Sequence, residues 1–374
     1  MTADESGDRF MRRAIELAER GRGLTSPNPM VGAVIVAPGG EVVGEGFHER
    51  AGAAHAEAEA LRAAGARARG GTMYVTLEPC SHHGRTPPCA PAVVAAGIVR
   101  VVAAIGDPNP LVSGQGFAEL RRAGIEVVTG VGAPEAERQN RVFLTAMRER
   151  RPHVVLKAGM TLDGKIADLH GASRWITGGP SRERAHLLRS ESDAIVVGIG
   201  TVLRDDPELT VRIGRPWPRE PFRVVLDTKA RTPRTARIIR AGSPSRALIV
   251  VGSDAPEDRA RELAGTGATV VRCRTRDGRL DLGAVLDDLF AREVRGVLVE
   301  GGGEIHAAFL DTNLVDRVAI YVAPLLVGGR GPTPAVGGVG RELKNAVRLG
   351  PLSVTALGDD LLIEADVLRA APGA

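Results

Sequence analysis

Apolar positions along the chain follow two periods, and the switches between them mark alternating helices and strands. Phe10, Met11, Ala14, Ile15, Leu17 and Ala18 recur at helical spacing and predict an amphipathic helix. Beyond the turn-rich Thr25-Ser26-Pro27-Asn28-Pro29, apolar runs over 31–37 and 42–47 flank Gly39-Gly40 and predict a hairpin. Residues 55–64, rich in Ala and Glu, predict a helix. Short apolar runs predict strands at 73–77, 99–105 and 125–128, with helices near 91–96, 116–123 and 135–148.

A chain of 374 residues exceeds one ordinary core, so two domains are expected. The charged stretch Arg148-Glu149-Arg150-Arg151-Pro152 ends in proline and sets the boundary, giving 1–149 and 150–374. The second part opens with a strand at 154–158. Segments at 181–190, 194–199, 223–227, 246–251, 257–264, 281–291, 296–300, 304–311 and 317–324 then alternate between helical and extended patterns. Continuous runs such as Ala194-Ile195-Val196-Val197 and Val297-Leu298-Val299 predict a mostly parallel sheet covered by helices.

Composition narrows the function classes. Aromatics make up 3% of the chain, too few for base-stacking platforms on single-stranded nucleic acid. A net charge of +4, with 49 basic and 45 acidic residues dispersed along the chain, is no nucleic-acid footprint. Three cysteines in a long chain argue against a disulfide framework. Residues 1–8 are polar and acidic, unlike a targeting peptide, and no apolar run approaches the roughly 20 residues needed to span a bilayer. These features predict a cytoplasmic protein with a small-molecule substrate and no membrane or nucleic-acid partner.

The chemistry concentrates in His55-Ala56-Glu57 and in Leu77-Glu78-Pro79-Cys80 running on to Cys89. One imidazole and two thiolates suit zinc, and a three-ligand set leaves the fourth tetrahedral position for water, whose pKa the metal lowers. Glu57, two residues past His55, is placed to shuttle protons without ligating. H-x-E with P-C-x-x-C is the zinc-deaminase pattern, but here eight residues separate the cysteines instead of two. A closed structural zinc with His82 or His83 as fourth ligand, and Cys80 and Cys89 as plain core thiols, stay open as alternatives. Cys273 has no motif around it and is expected to be inert.

In the second part, Val297-Leu298-Val299-Glu300-Gly301-Gly302-Gly303-Glu304-Ile305-His306 reads as a strand, a glycine turn and a helix N-terminus. Such a turn admits a phosphate closely, although it lacks the G-x-G-x-x-G fingerprint.

Thr25 to Gly32, His55-Ala56-Glu57 and the Leu77 to Cys89 segment, with its long spacer between the cysteines, resemble the bifunctional riboflavin-biosynthesis deaminase/reductase family. In the second part, Val155 to Lys165, Ser173-Arg174-Trp175-Ile176-Thr177 and Gly200 to Arg212 extend the resemblance over nearly the whole chain. The resemblance implies an α/β protein: a cytidine-deaminase-like three-layer αβα domain followed by a dihydrofolate-reductase-like α/β domain. It implies Zn2+ on His55, Cys80 and Cys89, Glu57 as the catalytic residue, and Asn28 and His48 lining the deaminase pocket. NADPH would be held by Gly159, Trp175, Thr201, Asp205, Thr228 and the turn Gly302, Gly303, Glu304, Ile305, His306, Ala307 and Ala308. Ser173, Arg189, Leu209, Arg212 and Glu300 would hold a phosphoribosyl-pyrimidine, with Arg189 and Arg212 clamping its phosphate. A homo-oligomer, dimer or tetramer, is implied as well.

Each of these residues has a plainer reading. His48 reads equally as an exposed strand-end histidine, Trp175 as a core aromatic, Arg189 as a partner of its helix dipole, and Asp205-Asp206-Pro207 as a turn. For the whole protein, the alternatives are a zinc deaminase of another nucleoside, base or tRNA with an impaired or unrelated second domain, and a zinc-stabilised scaffold.

Overall fold

A computed structural model describes residues 3–81, 87–110 and 112–369. Contacts divide the chain into two compact units, Met1–Arg150 and Arg151–Ala374.

The first unit runs α1 (Ala3–Glu19), β1 (Gly32–Val36), β2 (Val42–Phe47), α2 (Ala56–Ala64), β3 (Thr72–Leu77), α3 (Cys89–Ala95), β4 (Arg100–Ile105), α4 (Gln115–Arg122), β5 (Glu126–Thr129), α5 (Ala133–Gln139) and α6 (Arg141–Glu149). Its five strands order as β2-β1-β3-β4-β5. β1 is antiparallel to β2 and β3, whereas β3, β4 and β5 are parallel. Every residue of β1 is buried, as its unbroken apolar run requires of a strand covered on both faces. Helix α1 packs with α5, and α3 packs with α2 and α4, which makes three layers. The predicted apolar stripe of α1 is the buried one: Phe10, Met11, Ala14, Leu17 and Ala18 all lie in the core. The helix placed near 91–96 begins two residues earlier, at Cys89. Parallel pairing brings the carboxyl ends of β3 and β4 together, and Cys80 follows one of them by three residues.

The second unit runs β6 (His153–Thr161), α7 (Gly179–Glu191), β7 (Ala194–Gly198), α8 (Ile199–Asp205), β8 (Phe222–Leu226), α9 (Arg237–Arg240), β9 (Ala247–Gly252), α10 (Glu257–Ala264), β10 (Thr269–Cys273), β11 (Thr275–Arg276), β12 (Arg279–Leu280), α11 (Leu282–Ala291), β13 (Gly296–Gly301), α12 (Gly303–Asp311), β14 (Arg317–Ala323), β15 (Arg348–Leu349), β16 (Ser353–Leu357) and β17 (Asp360–Leu368). The main sheet orders as β10-β9-β8-β7-β13-β6-β14-β17-β15, with β16 also on β17. From β10 to β14 all pairs are parallel, as predicted, and β17 turns antiparallel. Because β13 inserts between β6 and β7, the segments following these three strands meet at one sheet edge. That is where ligands bind in open α/β sheets.

Candidate active sites

In the first unit, His55 directly precedes α2 in extended conformation, and Cys89 is the first residue of α3. His55 Nδ1 lies 3.5 Å from Cys80 Sγ and 3.4 Å from Cys89 Sγ. The three donor atoms all fall within 4.8 Å of one another. Zinc bonds of normal length at tetrahedral angles separate a nitrogen from a sulfur by about 3.6 Å, so the donor set fits the ion. Among the described residues no fourth His, Cys, Asp or Glu joins the group. His82 and His83, the alternative fourth ligands, lie outside the described residues. The mutual contact of the two side chains pushes the Cys80 thiol down and the Cys89 thiol up. A mutual thiol contact of this kind, unbridged by a disulfide, is the donor arrangement a soft divalent ion completes.

Glu57 is 3% exposed, in the first turn of α2. Burial pushes its carboxyl up to about 7, against the opposing charge of His55, and its side chain contacts Cys89. His48 is not an exposed strand-end histidine: it is 3% exposed and its ring meets that of His55 edge-on with centroids 5.6 Å apart. Its Nδ1 faces the carbonyl oxygen of Ala54 at 3.0 Å, and Nε2 lies 3.1 Å from Asn28 Nδ2. Neutral imidazole satisfies both contacts when Nδ1 donates to Ala54 and Nε2 accepts from Asn28. Burial pushes His48 down, which favours that neutral form.

The loop bearing Asn28 is itself clamped. Asn140, between α5 and α6, accepts from the Met30 N–H at 2.8 Å and donates to the Met30 carbonyl at 2.8 Å. Glu78 plays the corresponding part beneath Cys80. Its buried carboxylate accepts from the backbone N–H groups of Asp107, Gly114 and Phe117 at 3.0–3.2 Å, tying the loop after β4 to the ligand segment. Gly116 allows this approach, since a Cβ there would sit 1.9 Å from the Pro79 carbonyl oxygen. The same loop presents Asp107, whose carboxyl burial pushes up to about 6. Sequence reasoning passed over Asp107, although an acidic residue two positions past a parallel strand's carboxyl end is a usable signal.

In the second unit a cleft of about 580 Å³ opens at the edge where β6, β7 and β13 end. Gly159, Ser173, Trp175, Arg189, Thr201, Asp205, Arg212, Glu300, Gly302 and His306 line it, so the structure brings ten predicted residues together. Trp175 is no core aromatic, being 70% exposed. Gly301 carries φ of 130°, a conformation open only to glycine, and lets the chain turn from β13 into α12. The volume suits a nucleotide-sized ligand.

Other predicted residues lie off this wall. Leu209 is in the core with Ile195 and Val202. Thr228 follows β8, where its carbonyl accepts from Gly252 N–H. Within the glycine turn, Gly303 accepts from Gly337 N–H and Glu304 from Gly338 N–H, so the chain's own 334–338 segment covers them. Ile305 packs against Gly198, and Ala307 and Ala308 face inward.

Arg189 also departs from expectation. Its Nε and Nη2 pair with both oxygens of Glu300 at 2.6 and 2.8 Å, and Nη1 donates to the Thr210 carbonyl at 3.0 Å. Its charge is thereby matched to a buried carboxylate, and three of its five N–H groups are engaged within the protein. Lys157 and His186, unassigned by sequence reasoning, line the same cleft. Burial pushes the Lys157 ammonium down, partly offset by Glu300. Lys157 lies within β6, and a lysine inside an otherwise apolar strand was the missed signal.

Comparison with known proteins agrees with this geometry. Residues 4–105 match the cytidine and deoxycytidylate deaminase zinc-binding region, and residues 152–363 match the RibD C-terminal domain. The riboflavin biosynthesis protein RibD of Actinobacillus pleuropneumoniae is 41% identical over 95% of this chain and 94% of its own length. That of Escherichia coli K12 is 44% identical over 85% of this chain and 88% of its own. Among solved structures, Acinetobacter baumannii RibD superposes with a TM-score of 0.89 at 38% identity, covering 98% of this chain and 100% of that one. The Thermotoga maritima diaminohydroxyphosphoribosylaminopyrimidine deaminase/5-amino-6-(5-phosphoribosylamino)uracil reductase gives 0.84 at 35% identity, over 98% and 100%. With a zinc-ligand triad in one unit and a glycine-turn cleft in the other, the chain belongs to the RibD family, the bifunctional zinc deaminases and NADPH-dependent reductases of riboflavin biosynthesis.

Proposed function

We propose that residues 1–149 deaminate 2,5-diamino-6-(5-phosphoribosylamino)pyrimidin-4-one to 5-amino-6-(5-phosphoribosylamino)uracil, and that residues 150–374 reduce the ribosyl of that product to ribityl. The observation that carries the reading is the convergence of His55, Cys80 and Cys89 beside a buried Glu57.

Zinc, when bound by those three residues, supplies a Lewis acid that acidifies a coordinated water near neutral pH. Glu57 takes the first proton of the attacking water at a carboxylate oxygen and delivers it to the ring nitrogen, then takes the second from the newly added hydroxyl and passes it to the departing amine, so that ammonia leaves and a carbonyl remains. The Asn28–His48 pair orients the ring, and Asn140 and Glu78 hold the two loops that flank it.

In the second unit, bound NADPH would supply a hydride to the sugar's first carbon. Gly159, Trp175, Thr201, Asp205, Gly302 and His306 line the cleft and are the residues we assign to the dinucleotide. Ser173, Arg189, Arg212 and Glu300 are assigned to the sugar phosphate. Thr228, Leu209 and the rest of the turn act as supports beneath them.

Assembly as a homo-oligomer is supported by the edge of the second sheet. There Leu352, Val354, Leu361 and Leu368 are exposed on and beside β16 and β17, an apolar edge that a second copy would cover. A cytoplasmic location is supported by three free cysteines, two of them needed as thiolates, which reducing conditions preserve. No helix among the described residues is long and apolar enough to cross a membrane.

Mass spectrometry of products from the diaminopyrimidine ribotide tests the assignment. Without NADPH the product gains one mass unit on exchange of an amine for oxygen; with NADPH it gains two more. Absence of the first change refutes the deaminase reading, and absence of the second refutes the reductase reading.

A further inference from the structure

The cleft of the second unit contains an imidazole that no step above uses. His186 lies three residues before Arg189 on α7, so both side chains project from one helix face. Its Nδ1 accepts from the backbone N–H of Arg212 at 3.2 Å. In the neutral ring the proton therefore sits on Nε2, which makes no hydrogen bond among the described residues.

The charges facing the ring come from four elements: Arg189 on α7, Arg212 on the loop after α8, Lys157 on β6 and Glu300 on β13. Burial and then the two arginines push the imidazole down to about 4, so it stays neutral at pH 7. Arg189 already gives three of its five N–H groups to Glu300 and Thr210, and its charge is matched by Glu300. Arg212, by contrast, is exposed and held only by Nη1, to Glu208 and Thr210 Oγ1. An anion entering this end of the cleft thus meets, besides the remaining N–H groups of Arg189, the exposed guanidinium of Arg212 and one neutral N–H donor.

We propose that His186 Nε2–H donates to a phosphate oxygen of the substrate reduced in this cleft, beside Arg212, while His186 Nδ1 fixes the backbone on which Arg212 stands. The inference rests on the reading of the cleft as the reduction site. It adds a histidine to the two arginines at this end of the cleft. A neutral donor wedged among cations bonds an anion directionally without adding a further charge that must be desolvated in the empty cleft.

Asparagine and glutamine separate the two nitrogens. The amide of His186→Asn reaches the position of Nδ1 and falls short of Nε2, whereas that of His186→Gln reaches Nε2. Reduction is followed by NADPH absorbance with 5-amino-6-(5-phosphoribosylamino)uracil and with its dephosphorylated counterpart. His186→Asn should raise KM for the phosphorylated compound about tenfold with kcat within about twofold, the pattern of lost ground-state binding through a hydrogen bond to a charged oxygen. His186→Gln should restore most of the affinity. With the dephosphorylated compound, His186→Asn and the unsubstituted protein should give the same KM. NADPH affinity by fluorescence quenching and ammonia release by the first unit should be unchanged in both variants, which reports intact folding.

An unchanged KM in His186→Asn, equal losses in both variants, or a penalty that persists without the phosphate overturns the proposal. Failure of the unsubstituted protein to oxidise NADPH overturns the reading of the cleft, and the proposal with it.

Discussion

The Arg189–Glu300 pair offers a measurement in which stability and pH dependence must agree. Glu300 has a side chain 8% exposed and Arg189 one 14% exposed, joined through two parallel bonds. Burial alone would push the Glu300 carboxyl up. The charge and hydrogen bonds of Arg189, then the charges of Lys157 and His186, more than reverse this and hold it at about 2 instead of 4.5. At about 1.4 kcal/mol per tenfold change in proton affinity, that depression corresponds to about 3 kcal/mol. Removing one partner of a buried pair costs about 3–5 kcal/mol, because the other charge is left unmatched, so the two routes agree.

Glu300→Gln keeps the shape and removes the charge. Both tryptophans, Trp175 and Trp217, lie in Arg151–Ala374, so their emission during urea unfolding follows the second unit alone. At pH 7 the variant should be about 3 kcal/mol less stable, and adding Arg189→Met should return much of the loss. The sign of the pH effect follows from a carboxyl whose folded pKa is depressed. Its contribution is complete above 4.5 and is lost as pH falls through about 2, so the two proteins should converge across that window. A gap under about 1 kcal/mol at pH 7, or one that persists undiminished at about pH 2, would refute the reasoning.

Other consequences are more direct. Glu57→Gln should abolish ammonia release while zinc content by atomic absorption stays stoichiometric; retained turnover removes Glu57 from the mechanism. Stripping zinc with a chelator should stop deamination but leave NADPH oxidation on the uracil ribotide intact, since the ligands all belong to the first unit. Asn140→Ala breaks both bonds to Met30 and should cost about 1–3 kcal/mol of stability in that unit, read by hydrogen exchange. KM for the diaminopyrimidine should rise more than kcat falls in the same variant, as the Asn28 loop loosens.

How much was legible in the sequence depended on how locally each feature is encoded. The zinc triad could be read because each ligand type is scarce and stands in a short motif, His55-Ala56-Glu57 and Pro79-Cys80, whose chemistry has few other uses. Strands such as β7 and β13 declared themselves as continuous aliphatic runs. The region after β14 did not. β15 and β16 are largely exposed and pair only with β17, and β17 in turn depends on β14, Arg317 meeting Asp366 across 49 positions.

Residues that work through a neighbour's backbone were the least legible of all. Asn140 reaches Met30 across 110 positions, Glu78 reaches Phe117 across 39, and His186 reaches Arg212 across 26. Asn140 and His186 sit in no motif of their own, because what each contributes is bonding to peptide groups that any sequence would supply. The Arg189–Glu300 bond, across 111 positions, shows the consequence. Both residues were placed in the cleft by resemblance, yet their mutual neutralisation was invisible, and with it the fact that three of the N–H groups of Arg189 are already engaged. Motifs identify which side chains gather at a site; the distribution of their hydrogen bonds decides which of them still have one to give.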